Sequence, residues 1–143
     1  MEKVLKLSVD NIMLKQVTVE QLYEKNDCQL TLNVAKVTIA ISNIISNAID
    51  AMAYNKGDLI ISTKLVCGKC IVKIIDNGCG ISKENIDHIF TPYYTNKSGN
   101  PGLGLTAAKY ILNDNNASVY VKSTEGEGTV FTIMFDDKLM QNT

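Results

Sequence analysis

The sequence has one histidine, His88, and four cysteines among its 143 residues, which leaves little material for metal chemistry. A structural zinc site needs four ligands. Only Cys67-Gly68-Lys69-Cys70 has a suggestive spacing, and the other ligands would have to come from distant Cys28, Cys79 or His88. The pair reads instead as structural, flanking a Gly-Lys turn at the opposing ends of a hairpin, and a reducing cytosol disfavours a disulfide. Charge of one sign is equally scarce. Fourteen basic and 15 acidic residues give a net charge of −1, and no run of Lys or Arg stands out. Nucleic acid is therefore not expected as a partner, because a grip on the phosphate backbone needs clustered basic residues. No stretch reaches the roughly 18 apolar residues of a membrane span. Met1-Glu2-Lys3 leads straight into folded-looking sequence, without the apolar core of a signal peptide. The expectation is a soluble, cytoplasmic domain with no membrane contact of its own, whether or not a longer parent is membrane-anchored.

What is present suits one globular unit over residues 1–143, with 45% apolar and 20% charged residues. Residues 1–32 are the least legible. Val4-Leu5, Leu7 and Val9 partly alternate, as a strand would, and Thr18-Val19-Glu20-Gln21 matches a capping box opening a short helix that ends near Asn26. Cys28 to Leu32 reads as a short strand. From Val34 to Met52 the apolar residues Val37, Ile41, Ile44, Ile45, Ala48, Ile49 and Met52 recur at steps of three and four, predicting a helix stopped by Asn55-Lys56-Gly57. Leu59–Val66 and Ile71–Ile75 predict an antiparallel hairpin. Ser82–Phe90 predicts a short helix capped by Ser82, and Gly104–Leu112 predicts another, with Leu105, Ala108, Ile111 and Leu112 facing inward. Ser118–Lys122 and Thr129–Phe135 form a second hairpin around Glu125-Gly126-Glu127-Gly128. Strands plus about three helices on one face of a mixed, mostly antiparallel sheet make a two-layer α/β sandwich rather than a parallel Rossmann sheet.

Three segments carry unusual residues. In the first helix, Asn43, Asn47 and Asp50 stand at i, i+4 and i+7, on nearly one face beside the apolar stripe. Mid-helix amides are not chosen for propensity. Three polar groups in line suit a common ligand, and amide oxygens suit a hard cation such as Mg²⁺ with phosphates. Asp76-Asn77-Gly78-Cys79-Gly80-Ile81 follows a strand, so its glycines allow close approach to the backbone and Asp76 can accept from an exocyclic amine. Cys79 reads as a small residue filling that loop. Gly99-Asn100-Pro101-Gly102-Leu103-Gly104-Leu105 feeds a helix, whose free N–H groups and positive dipole end suit phosphate.

In this order and spacing the segments resemble the N, G1, F and G2 boxes of the catalytic domain of sensor histidine kinases. That domain is part of the gyrase–Hsp90–histidine kinase–MutL superfamily with its Bergerat-type fold. Asn43 to Ala48 resembles the N box, Asp76, Gly78 and Gly80 the G1 box, Phe90 to Lys97 the F box, and Gly102 to Leu105 the G2 box. The resemblance runs from about Asn33 to Phe135. It implies ATP and Mg²⁺ as cofactors, with Asn43 and Asn47 as the catalytic residues, Asn47 on the metal and Asn43 at the phosphate end, and Asp50 of the same helix among the ATP-binding residues. It further implies Asp76 at the adenine amine, Gly78, Gly80 and Ile81 against the base, and Gly102, Leu103, Gly104 and Leu105 at the phosphates. Phe90, Tyr93, Tyr94, Thr95 and Lys97 would belong to the lid. Asn96 departs from the usual second lid threonine, and Asn100-Pro101 from the usual small residues.

The resemblance also orders the possible reactions. Superfamily members that hydrolyse ATP carry a glutamate where this chain has Asn43, and an amide cannot act as general base. Transfer to an imidazole, itself a nucleophile, is the implied chemistry. His88 lies in a predicted short helix, not in a long helical hairpin, so the acceptor histidine is expected on a separate helical phosphoacceptor domain, with a response regulator downstream. A stand-alone serine kinase of the anti-sigma-factor type and a non-catalytic nucleotide-binding module share the same boxes.

Overall fold

The computed structural model describes residues 1–24, 30, 32–91 and 104–136. Helix α1 (Glu2–Lys15) leads into strand β1 (Thr18–Tyr23), then α2 (Val34–Ala51) and the strands β2 (Asp58–Val66) and β3 (Lys69–Asp76). A single 3-10 turn (Ile86–His88) follows, then α3 (Gly104–Asp114), β4 (Ala117–Thr124) and β5 (Gly128–Asp136). The strands form one sheet in the order β1-β2-β3-β5-β4, in which only β1 and β2 run parallel. Among the described residues no helix is long and apolar enough to cross a membrane. The expected two-layer sandwich with a mixed, mostly antiparallel sheet is the architecture found, with three helices among the described residues, of which α1 takes the place of the helix expected at Ser82–Phe90.

The core lies between α2 and the sheet. Val37, Ala40, Ile41, Ile44, Ile45, Ala48 and Ile49 are buried along α2, a broad apolar stripe at helical spacing. They meet Leu59 and Ile61 of β2, Val72 and Ile74 of β3, and Phe131, Ile133 and Phe135 of β5, all in one buried cluster. The Asn33 side chain caps α2 by accepting the Lys36 N–H at 3.1 Å, which satisfies one of the orphan donors of its first turn. The α2 helix ends at Ala51, ahead of Asn55-Lys56-Gly57, where the backbone turns extended at Met52 (φ −92°, ψ 148°) and its N–H closes back on the Ile49 carbonyl. Lys15 Nζ donates to Ile49, Asp50 and Met52 oxygens at 3.1, 3.0 and 2.8 Å.

Four expectations are corrected. Residues Val4–Val9 belong to α1, not to a strand. Val4 and Ser8 are its buried residues while Leu7, Val9, Met13 and Leu14 are exposed, so apolar side chains encircle the helix and a polar one sits inward, which blurs the period. Thr18–Gln21 opens no helix; it pairs in parallel with Asp58–Ile61 as an edge strand, a long-range bond that outweighs a local capping pattern. Ser82 caps no helix either. Its carbonyl accepts the N–H groups of Asn85 and Ile86 at 3.1 and 3.0 Å, ahead of the 3-10 turn, and of the two residues Ile89 and Phe90 that end the segment only Ile89 is fully buried. The first hairpin turns on Cys67-Gly68 rather than Gly68-Lys69. Val66 pairs with Lys69, and Cys67 and Gly68 take φ 51° and 76°, as a two-residue type I′ loop requires. Cys67 thus lies in the loop and Cys70 faces Leu65 inside the ladder; neither forms a disulfide. The expected strand from Cys28 to Leu32 falls largely outside the described residues.

Candidate functional site

Asp76 is the last residue of β3, 5% exposed in a register otherwise filled by Val72 and Ile74. Its Oδ1 accepts the Gly78 N–H at 2.9 Å. Burial pushes the carboxyl above the usual carboxylate range, and the backbone N–H groups of Gly78 and Thr129 partly oppose this by bonding to the charged form. A β-carbon on Gly78 would stand 2.7 Å from the Ala51 carbonyl oxygen, so glycine lets the loop lie flat against the end of α2. The Cys79 N–H then donates to that same oxygen at 3.0 Å. Gly80 takes φ +72°, and a β-carbon there would collide with the Thr124 backbone. The Cys79 carbonyl accepts the Gly126 N–H at 2.7 Å. The loop after Asp76 is therefore bonded to α2 on one side and to the β4–β5 turn on the other.

Half-buried Asn43 and Asn47 stand two and one turns back along α2 from Ala51. Asn47 Nδ2 donates to the Asn43 carbonyl at 2.9 Å, which orients the amide; its Oδ1 is the acceptor atom of the group. Asn43 Nδ2 donates to the Gly104 carbonyl at 3.3 Å and so ties α2 to the start of α3. Gly104 itself has room for a β-carbon, with the Asn43 side chain 3.9 Å away. With a rise of about 1.5 Å per residue, the row from the Gly78 end to Asn43 and Gly104 runs about 12 Å. A buried carboxylate marks one end and a helix N-terminus the other. Asp50 is exposed on the same helix.

The remaining expected residues divide in two. Ile81 is half-buried and its N–H donates to Ser123 Oγ at 2.7 Å. Phe90 packs edge-on against Phe131, with ring centroids 6.4 Å apart at 80°, and Leu105 packs against the core. Tyr93, Tyr94, Thr95, Lys97, Gly102 and Leu103 lie outside the described residues, so the lid and half of the second glycine segment are not placed.

Three polar residues escaped the sequence reading. Thr129, 5% exposed, sits opposite Asp76 in the β3–β5 ladder. Its signal was available: β5 buries Thr129, Phe131, Ile133 and Phe135 in alternation, and a hydroxyl in that series needs a partner. Ser123 Oγ donates to the Gly128 carbonyl at 2.9 Å and lies 2.8 Å from Thr129 Oγ1, so with its one proton spent, Thr129 is the donor of that pair. Asn77 accepts the Asp58 N–H at 2.8 Å and donates to the Lys56 carbonyl at 3.0 Å, a brace for the loop between α2 and β2. A cavity of about 620 Å³ opens on the β5 side of Asp76, beside Ile75, Ile86, Ser123 and Thr129. It is lined by no residue of α2, so it does not join the carboxylate to the Asn43–Asn47 face.

A two-layer sandwich with a carboxylate at a strand end, facing an amide-bearing helix, is the architecture of the Bergerat-type ATP-binding catalytic domains. The chain belongs to the histidine kinase-, DNA gyrase B-, and HSP90-like ATPase family, whose profile matches residues 33–139. Sporulation kinase D of Bacillus subtilis is 40% identical over 93 residues, which make up 65% of this chain and 18% of that protein. The catalytic domain of the histidine kinase ThkA, in a nucleotide-free crystal form, superposes with a TM-score of 0.83 at 23% identity, covering 95% of this chain and 89% of that one. ThkA in complex with the response regulator protein TrrA gives 0.78 at 21% identity, over 95% of this chain and 39% of that one. The chain spans 18% to 29% of the length of Sporulation kinases D and C.

Proposed function

We propose that this chain is the ATP-binding catalytic unit of a sensor histidine kinase. It binds Mg²⁺-ATP and transfers the γ-phosphate to a histidine on a separate helical phosphoacceptor domain, which in turn serves a response regulator. The observation that carries this reading is the buried carboxylate of Asp76 with Gly78 pressed against Ala51. A carboxylate held away from water, beside a backbone stripped of side-chain bulk, suits a flat base with an exocyclic amine. From there α2 leads past Asn47 and Asn43 to α3, whose positive dipole end suits phosphates.

The donors present fit a magnesium ion only as a shared ligand. Among the described residues no group of three or more His, Cys, Asp or Glu is arranged to hold a metal. Asn47 offers one hard oxygen, and Mg²⁺ characteristically completes such a site with waters and substrate phosphates. Bound there, the ion neutralises charge on the phosphates. The protein's share is positioning. Asp76 fixes the base, Asn43 holds the start of α3, and no residue at Asn43 takes a proton from water, because an amide is no base. That favours transfer to imidazole over hydrolysis.

The test is a Mg²⁺-ATP titration of the chain beside Asp76→Asn. Loss of a charge-assisted hydrogen bond should weaken binding about tenfold or more. A folded wild type that binds no ATP would sink the reading. Transfer is read separately, with labelled ATP and the helical phosphoacceptor domain of the parent kinase. The phosphorylated product should be acid-labile, as a phosphoramidate is; an acid-stable phosphoester would instead favour a serine kinase.

A further inference from the structure

Helix α3 holds Phe90 from two directions. Thr106 Oγ1 donates to the Phe90 carbonyl at 2.9 Å, and Lys109 Nζ lies 4.9 Å from the centroid of the Phe90 ring. Thr106 and Lys109 are three residues apart, so they share one face of the helix. The same ring packs edge-on against Phe131 of β5. A threonine in the first turn of a helix ordinarily turns its hydroxyl to its own backbone. Here the proton goes 16 residues back in the chain. On the opposite side, the Gly104 carbonyl is held by Asn43. The first turn of α3 is thus pinned between α2 and the Phe90 backbone, by one side-chain bond each.

We infer that Thr106 is a positioning residue for the phosphate end of the nucleotide, setting the angle at which the first turn of α3 presents its backbone N–H groups. Lys109 reinforces it by fixing the ring of the residue to which Thr106 bonds. The inference rests on the ATP-binding reading and deepens it. Helix-end N–H groups act only at hydrogen-bond range, so a small swing of α3 weakens contacts to phosphates and leaves the base end, at Asp76, untouched.

The experiment compares the affinities of ATP and adenosine, followed by NMR titration, for the wild type, Thr106→Val, Thr106→Ser and Lys109→Met. Valine keeps the shape and removes the donor; serine keeps the donor. The expected result is an ATP affinity lowered roughly fivefold in Thr106→Val, restored in Thr106→Ser, and lowered in the same sense in Lys109→Met, with adenosine affinity unchanged in all three. Equal losses for both ligands, or no loss in Thr106→Val, overturn the inference. Should Thr106→Val fail to fold, Lys109→Met decides, since Lys109 is exposed; an unchanged ratio of ATP to adenosine affinity there overturns it. A wild type that binds no ATP fails the functional reading instead, an outcome distinct from variants that bind as the wild type does.

Discussion

Asp76 is a polar residue in an apolar register, and its environment has a measurable consequence. Burial raises its carboxyl above the ordinary range, so the ionised form is disfavoured in the fold. The stability contributed by the neutral form is complete below the unfolded-state value and is lost as pH rises through the raised folded value. Asp76→Asn has no charge to lose. Its melting temperature should therefore exceed that of the wild type at pH 7, and the gap should close as pH falls below about 4, the ordinary carboxylate range. Thermal melts across that interval check this, and a gap independent of pH would show that the carboxyl is not desolvated. The same variant should bind ATP more weakly, so stability and function at this residue move in opposite directions. Of the site's residues, Asp76, Gly78 and Asn43 were readable because their types are odd for their positions. Thr129 carried a signal in the alternation of β5; Ser123 did not, because a hydroxyl near a hairpin end looks ordinary until the ladder register places it.

At the scale of elements, the end of α2 is the joint on which the site depends. Three of its terminal carbonyls and that of the C-cap have partners: Ile49, Asp50 and the C-cap Met52 receive Lys15 Nζ, and Ala51 receives the Cys79 N–H. A cation at a helix C-terminus is favourable through the dipole as well as through its hydrogen bonds. Lys15→Met keeps the stem and removes the donors, and should cost about 1–3 kcal/mol. The check is a urea titration, in which the midpoint should fall with an unchanged slope; an unmoved midpoint would mean that the three bonds contribute nothing net. The start of helix α1 was misread from the sequence, since Leu7 and Val9 face outward and imitate the alternation of a strand. By contrast α2 was readable almost to the residue, because its buried face is wide and uninterrupted.

For the whole molecule, the question is where the unit begins. The family profile starts at residue 33, yet Val4 and Val17 are buried in the same cluster as the α2 stripe, and β1 covers the edge of β2. Removing residues 1–32 would open that edge and bare part of α2 and β2. The fragment 33–143 should lose cooperative thermal unfolding or self-associate, as followed by circular dichroism and size exclusion. A fragment that melts cooperatively near the wild-type temperature would place the boundary at α2 instead.

The sequence by itself determined the α2 stripe, the two hairpins, α3 and the identity of the oddly placed amides, carboxylate and glycines. These depend on periods and residue types within about 20 positions. Only the tertiary structure decided that residues 2–15 are a helix, that 18–23 is a parallel edge strand, and that Thr106 bonds to the Phe90 carbonyl. The physical reason is range. Strand β1 takes its hydrogen bonds from β2, some 40 residues away, and α1 takes its burial from α2. The bond from Thr106 joins elements whose neighbourhood no local pattern encodes.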